Sequence, residues 1–241
     1  MSAQSVTNEW FCVNRLLLNA AKTNRVVFSL RDTQNVNDGM SSVRFLGVLL
    51  DPKLQWGEHI NSKKLAKNLF VLRNLASNVS HKVLITAYHA IFQSHLAYAI
   101  LVWGHSAEML TVFGWQRKAV RVLAGLWYRD DCRQAYRSLR ILTVPSLYIL
   151  ENLMFIKRGG AHFETHENIH QHDTRYKHHL VPAYWRLRRC QTGPGYWAIK
   201  FFNKLPDSLK CLQLNQFKST IKDILLENVF YSNEEFLAFK F

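Results

Sequence analysis

The spacing of apolar residues divides the chain into a short mixed segment and a long helical one. Between positions 6 and 18, Trp10, Val13 and Leu17, with Phe11 and Leu18, recur at helical intervals and predict an amphipathic helix ending near Asn19. Residues 25–28, Arg-Val-Val-Phe, have the composition of a short strand. Residues 31–42 show no apolar period and predict an exposed loop. The run at 43–56 is rich in β-branched and aromatic residues, reaches Gly47, passes Asp51-Pro52 and ends on Leu54 and Trp56. It predicts a buried strand entering a tight hairpin.

From Glu58 the period becomes helical. Ile60, Leu65, Leu69, Leu72 and Leu75 form one stripe, with Lys63, Lys64, Lys67 and Arg73 on other faces. Ser80 is placed to cap a second helix through Val83, Leu84, Ala87, Tyr88, Ile91, Leu96 and Tyr98, broken at Gly104. A third helix covers about 107–123. Asp130 or Asp131 is suited to cap a helix over 132–139. Pro145 opens a strongly apolar helix that Gly159-Gly160 ends. A turn at 193–195, a short helix over 196–203 and a terminal amphipathic helix over 215–229 complete the pattern. The predicted fold is mainly α, with a small β-hairpin or strand remnant at the N-terminus, in three parts: 1–57, 58–158 and 159–241.

Composition narrows the function classes. With 241 residues, 48% of them hydrophobic, the chain has enough apolar surface for a sizeable core and is not a disordered polypeptide. Its 31 Lys and Arg against 17 Asp and Glu leave a formal charge of +14, which favours a polyanionic partner, nucleic acid first. Cys12, Cys132, Cys190 and Cys211 lack the paired spacing of a zinc site or disulfide framework and are expected to be buried free thiols in a reducing compartment. Residues 1–30 mix Asn, Glu, Arg and Lys into every apolar run, so no secretory signal is read there. Residues 81–103 are long enough to span a bilayer, but His81, Lys82, His89, Gln93 and His95 recur along them, which favours a buried helix. The expected location is intracellular, nuclear or cytoplasmic.

Three segments carry candidate chemistry. Arg117, Lys118 and Arg121 lie within about one helical turn and make a candidate phosphate-facing patch, or a solvated face. His162, His166 and His170 have the spacing of a helical zinc site, but Thr, Asn, Gln and Asp break any helical stripe and no Cys or Glu partners them. The segment therefore reads as a partly cationic loop, and no metal site is assigned. Beyond it, Arg186, Arg188 and Arg189 interleave with Tyr176, Tyr184, Trp185, Tyr196 and Trp197. That mixture suits phosphates and base planes, and equally suits amphipathic packing.

Several signatures then stand in a fixed order: Trp10-Phe11, Leu17-Leu18-Asn19, Lys22-Thr23, Phe45-Leu46-Gly47, Leu50-Asp51, Leu54 and Trp56. They are followed by Ala87-Tyr88, Ser94-His95-Leu96, Trp103-Gly104, Gln116-Arg117-Lys118-Ala119-Val120-Arg121, Arg129-Asp130, Leu142-Thr143, Pro145-Ser146-Leu147-Tyr148, Tyr196 and Phe202-Asn203-Lys204-Leu205-Pro206. Over nearly its whole length the chain resembles the C-terminal part of insect Jockey-like non-LTR retrotransposon reverse transcriptases. The resemblance implies a palm remnant in which Lys22 belongs to the motif that closes on the nucleotide. Phe45, Leu46 and Gly47 would belong to the primer grip. A helical thumb would then follow, with Lys63, Lys64, Lys67, Arg117, Lys118, Arg121, Arg186, Arg188 and Arg189 as phosphate contacts.

The family carries its catalytic aspartates before the segment matching Trp10. Tyr128-Arg129-Asp130-Asp131 has the Tyr-x-Asp-Asp form but follows the grip, so no catalytic residue is assigned. This polypeptide alone is expected not to polymerise DNA, and Mg²⁺ is expected only for a complete polymerase. The implied partners are an RNA/DNA template–primer duplex and the remaining polymerase portion, with no membrane or small-molecule substrate. The alternative is a non-enzymatic, host-adapted helical module that binds nucleic acid or protein.

Overall fold

The computed structural model describes residues 3–19, 22–24, 26–28, 42–62, 64–160, 163–169, 177–184, 186 and 191–241. The chain forms two compact units, 1–59 and 60–241. It is mainly helical, with one two-stranded antiparallel sheet near the N-terminus.

In the first unit, helix α1 (Ala3–Val13) is shorter than its apolar spacing predicts, and Trp10, Val13 and Leu17 are exposed. The described residues 26–28 form no strand. The hairpin lies earlier than Asp51-Pro52: strands β1 (Val43–Phe45) and β2 (Val48–Leu50) pair Val43 with Leu50 and Phe45 with Val48. Leu46 (φ 47°) and Gly47 (φ 80°) supply the two positive-φ positions of a tight turn whose twist matches the strands. Neither strand is buried. Asp51 instead organises the next turn, its carboxylate accepting from Gln55 N at 2.8 Å and Trp56 N at 2.9 Å.

The single helix predicted from Glu58 is two, α2 (Gly57–Ser62) and α3 (Leu65–Ala76). Leu65, Leu69 and Leu72 form the buried stripe of α3. The helix predicted through Tyr98 is α4 (His81–Ala87), a π-helical segment (Tyr88–Gln93) and α5 (Ser94–Ala97). Tyr98 is extended and Ala99 left-handed, so the chain breaks there, before α6 (Ile100–Trp103). The buried residues Leu84, Tyr88, Phe92, Leu96 and Ile100 repeat strictly every four positions. In a regular α-helix such a row drifts by about 40° per step and would leave the core. Between Tyr88 and Phe92 the wider π turn offsets this drift and stacks the two rings, centroids 5.6 Å apart, and the break at Tyr98 and Ala99 redirects the chain before Ile100. Among the described residues no helix is long and apolar enough to cross a membrane.

Helices α7 (Met109–Ala124), α8 (Arg133–Ser138) and α9 (Val144–Lys157) follow. Residues 141–150 are all buried, and α9 packs against α6, α7, α11 (Pro194–Lys204), α13 (Leu214–Asn228) and α14 (Asn233–Ala238). The Gly159-Gly160 break ends α9 inside this single unit, because α11 returns onto it. Short helices α10 (His166–Ile169) and α12 (Asp207–Lys210) lie in the intervening segments. The loop read at the histidine segment includes α10 and an antiparallel bridge between Thr165 and Leu180. The Asn203 amide clamps Leu180 like a neighbouring strand, donating to its carbonyl at 2.8 Å and accepting from its N–H at 2.9 Å. A Cβ at Gly104 would fall on the Tyr148 ring and the Ile100 carbonyl, so glycine permits the approach of α6 to α9.

At the centre, the fully buried Gln116 spends its whole amide. Its Nε2 donates to Tyr88 Oη (3.0 Å) and Leu142 O (2.8 Å), and its Oε1 accepts from Tyr136 Oη (3.2 Å) and Val144 N (2.9 Å). Burial raises the phenol pKa of both tyrosines above its ordinary value. Replacing Gln116 by Leu strands these buried groups and is expected to cost about 3 kcal/mol or more, read as a lower urea midpoint by circular dichroism.

Candidate nucleic-acid interface

In the first unit, the hairpin places Phe45 and Leu46 at an exposed tip, with 61% and 75% of their surfaces open. Lys22 is exposed in a short turn, its N–H donating to Asn19 O at 3.1 Å. His59 accepts from Leu49 N at 3.3 Å, and Ser42 donates to Glu58, so the base of the hairpin is tied to α2.

In the second unit, Lys64, the N-cap of α3, and Lys67 in its first turn are both exposed. No acidic residue occurs from 59 to 107, whereas Lys63, Lys64, Lys67, Arg73 and Lys82 do. This stretch of unopposed positive charge is legible in the sequence, although apolar periodicity does not reveal it. Lys63, Arg188 and Arg189 lie outside the described residues; Arg186 is exposed.

The predicted triad on α7 is only half-exposed. The Arg117 guanidinium lies 5.1 Å from the Phe113 ring centroid, and Lys118 Nζ lies 4.4 Å from that of Trp115. Arg121 donates from Nε (3.2 Å) and Nη2 (3.0 Å) to Asp130 O. All three cations thus hold the structure as well as supply charge. Trp115, Thr111, Ile60, Asn61, Leu65 and Ala66 line an open cavity of about 130 Å³ beside Lys118.

The Tyr128–Asp131 tetrad forms a turn, and neither aspartate is the cap of α8, a position taken by Cys132. Asp130 Oδ2 accepts from Trp127 N at 2.8 Å, and Asp131 Oδ1 accepts from Arg133 N at 3.4 Å and from the Tyr231 hydroxyl at 3.4 Å. Cys132 is buried, with its thiol pKa pushed up by burial, whereas Cys12 and Cys211 are exposed free thiols, contrary to the expected burial. Cys190, His162, His170 and His172 lie outside the described residues, among which no group of three metal-ligating side chains gathers.

Most of the described ion pairs lie far along the chain. Arg133 reaches Glu235 at 2.8 Å and stacks 4.1 Å from the Tyr231 ring centroid, Arg140 reaches Asp223 at 2.7 Å, and Arg137 Nε donates to Glu227 O at 2.8 Å. This clasp between α8 and the C-terminal helices uses acidic groups that would otherwise oppose a polyanion. Comparison with protein families, curated proteins and solved structures finds no match to this chain.

His105 and His179 give the unit a pH response. Burial lowers both pKa values below 6.5, and Lys210 adds to the effect at His179. Their unfolded forms bind protons first as pH falls, so their contribution to stability is present above pH 6.5 and lost below it. His105 contributes a slope of at most about 1.4 kcal/mol per pH unit, and the less buried His179, screened by solvent, contributes less. Urea midpoints measured between pH 7 and 5 should fall, and His105→Gln should flatten the decline.

Proposed function

We propose that the helical unit binds the backbone of a template–primer duplex, as the thumb-like part of a non-LTR retrotransposon reverse transcriptase. The observation that carries this reading is the exposed pair Lys64 and Lys67 at the start of α3, within a segment from 59 to 107 that has no acidic residue. Such a surface suits partners recognised by phosphate charge and duplex shape, which is what holding any sequence requires. Arg117, Lys118, Arg121 and Arg186 extend the positive charge, while Phe45, Leu46 and Gly47 act as a primer-grip-like tip and Lys22 as the nucleotide-closing remnant. Metal chemistry, with Mg²⁺, belongs to a complete polymerase.

Duplex affinity should fall linearly with salt on a double logarithmic plot, about 0.9 unit of slope for each phosphate neutralised. The double variant Lys64→Ala/Lys67→Ala should lower that slope by about 2 and weaken all sequences alike. An unchanged slope removes α3 from the interface, and weak binding with saturable capture of a protein favours the protein-binding alternative.

The hairpin supplies a separate test. Valine at position 47 must take φ near 80°, a left-handed conformation that costs about 1–2 kcal/mol without glycine. Gly47→Val should reduce duplex affinity while the helical signal and its melting stay in place. Unaltered affinity in that folded variant removes the hairpin from the binding surface.

A further inference from the structure

The turn between α7 and α8 displays two neighbouring aromatic rings. Trp127 is 83% and Tyr128 77% exposed, and neither makes a ring contact among the described residues. An indole and a phenol left in water are an unusual expense of apolar surface, and they sit here at the end of a long helix with a stiff backbone. Gly125 caps α7 in the left-handed region, and Leu126 N donates to Arg121 O at 2.9 Å. Asp130 closes the loop twice: its N–H donates to Trp127 O at 3.2 Å, and its carboxylate accepts from Trp127 N at 2.8 Å. Arg121 then fastens the Asp130 carbonyl with two hydrogen bonds. A turn held at this many points does not collapse to bury its rings.

The charge around the rings selects the occupant. Arg129, between Tyr128 and Asp130, is exposed and has no carboxylate partner among the described residues. The two nearby carboxylates keep their charge while accepting from Trp127 N (Asp130) and from Arg133 N and the Tyr231 hydroxyl (Asp131), and Arg121 and Arg117 act with the opposite sign on the neighbouring Cys132. Flat rings next in sequence to a guanidinium with no carboxylate partner among the described residues suit a ligand with π-faces joined by phosphates. In a duplex those faces are hidden by stacking, so the ligand with open faces is an unpaired strand.

We propose that Trp127, Tyr128 and Arg129 form a stacking site for unpaired nucleobases, so that the chain engages single-stranded nucleic acid here in addition to duplex backbone elsewhere. The proposal rests on the reading of the chain as a nucleic-acid binder but uses a different surface and a different strand form.

The test uses the full chain and fluorescence anisotropy at one salt concentration. The probes are a labelled oligothymidylate of 15 nucleotides, an abasic strand of equal length, and a blunt duplex. The intact chain should prefer the base-bearing strand over the abasic one by at least fivefold. Trp127→Ala should weaken oligothymidylate binding about five- to a hundredfold, leave duplex affinity within about twofold, and preserve the melting temperature. Trp127→Phe should restore most of the loss. Equal binding of the two single strands by the intact chain, a measurement needing no variant, overturns the proposal. So does an unchanged oligothymidylate affinity in Trp127→Ala, or an absence of single-strand binding that leaves the rings to a protein partner. Duplex binding that loses its salt slope defeats the thumb-like reading instead, which separates the two failures.

Discussion

The helical unit depends on one side-chain amide. Gln116 meets Tyr88 from the π-helical segment, Tyr136 from α8, and the backbone of Leu142 and Val144 where α9 begins. This matters because α9 is apolar almost all the way round, with residues 141–150 uniformly buried. A helix without a polar face has no amphipathic preference for one rotation about its axis. The Gln116 contacts supply the missing instruction, since a rotation or slip leaves buried hydroxyls and a buried N–H without partners. Thr143 adds a second pin, accepting from Ser146 N at 3.1 Å and donating to Phe230 O at 2.6 Å, which ties the start of α9 to the chain after α13.

Periodicity made α3, α7, α9, α11 and α13 legible because each has a stripe, a proline start or a glycine end that acts over a few residues. Where it misled, the deciding force was not local. The four-residue repeat from Leu84 to Ile100 is visible in the sequence, but its meaning as a π-helical turn depends on what Tyr88 must reach. The strand expected at 25–28 had the right residues, yet the described part of that segment has no pairing partner. The turn expected at Asp51-Pro52 is real, but it follows the hairpin because Leu46-Gly47 closes the strands first. Helix α14 had a readable start: Ser232 accepts from Glu235 N at 3.1 Å, half of a capping box. At the candidate interface, basic residue types were legible and their commitments were not. Arg121 looks like Lys64 in a sequence, but one holds a turn and the other lies open.

Acidic residues are unevenly placed along the chain, with none from 59 to 107. The acids Asp207, Asp223 and Glu235 each face a local base, and those exposed pairs contribute little stability individually. Their larger effect is on the field, because each offsets a base close to it, whereas no acidic residue occurs from 59 to 107. Tyr231 shows the same economy: it covers Arg133 with its ring and meets Asp131 with its hydroxyl, and burial followed by that carboxylate raises its pKa. A clasp of this kind secures the C-terminus without consuming a lysine of α3.

The first unit obeys a different logic, in which the backbone carries the information. Leu46, Gly47, Leu54 and Trp56 all hold positive φ within eleven residues, and three of them are not glycine. Left-handed leucine and tryptophan are costly conformations that persist only where other contacts overdetermine them. The buried Asp51 carboxylate provides that determination for Trp56 by accepting its N–H, and cross-strand pairing provides it for Leu46. The strain therefore purchases a fixed shape for a tip whose apolar side chains, Phe45 and Leu46, face solvent. A hairpin selected for stability alone would place glycine or asparagine at position 46 and turn its large residues inward. Backbone strain and outward-facing apolar residues thus coincide at one tip, held by strand pairing at Leu46 and by Asp51 at Trp56.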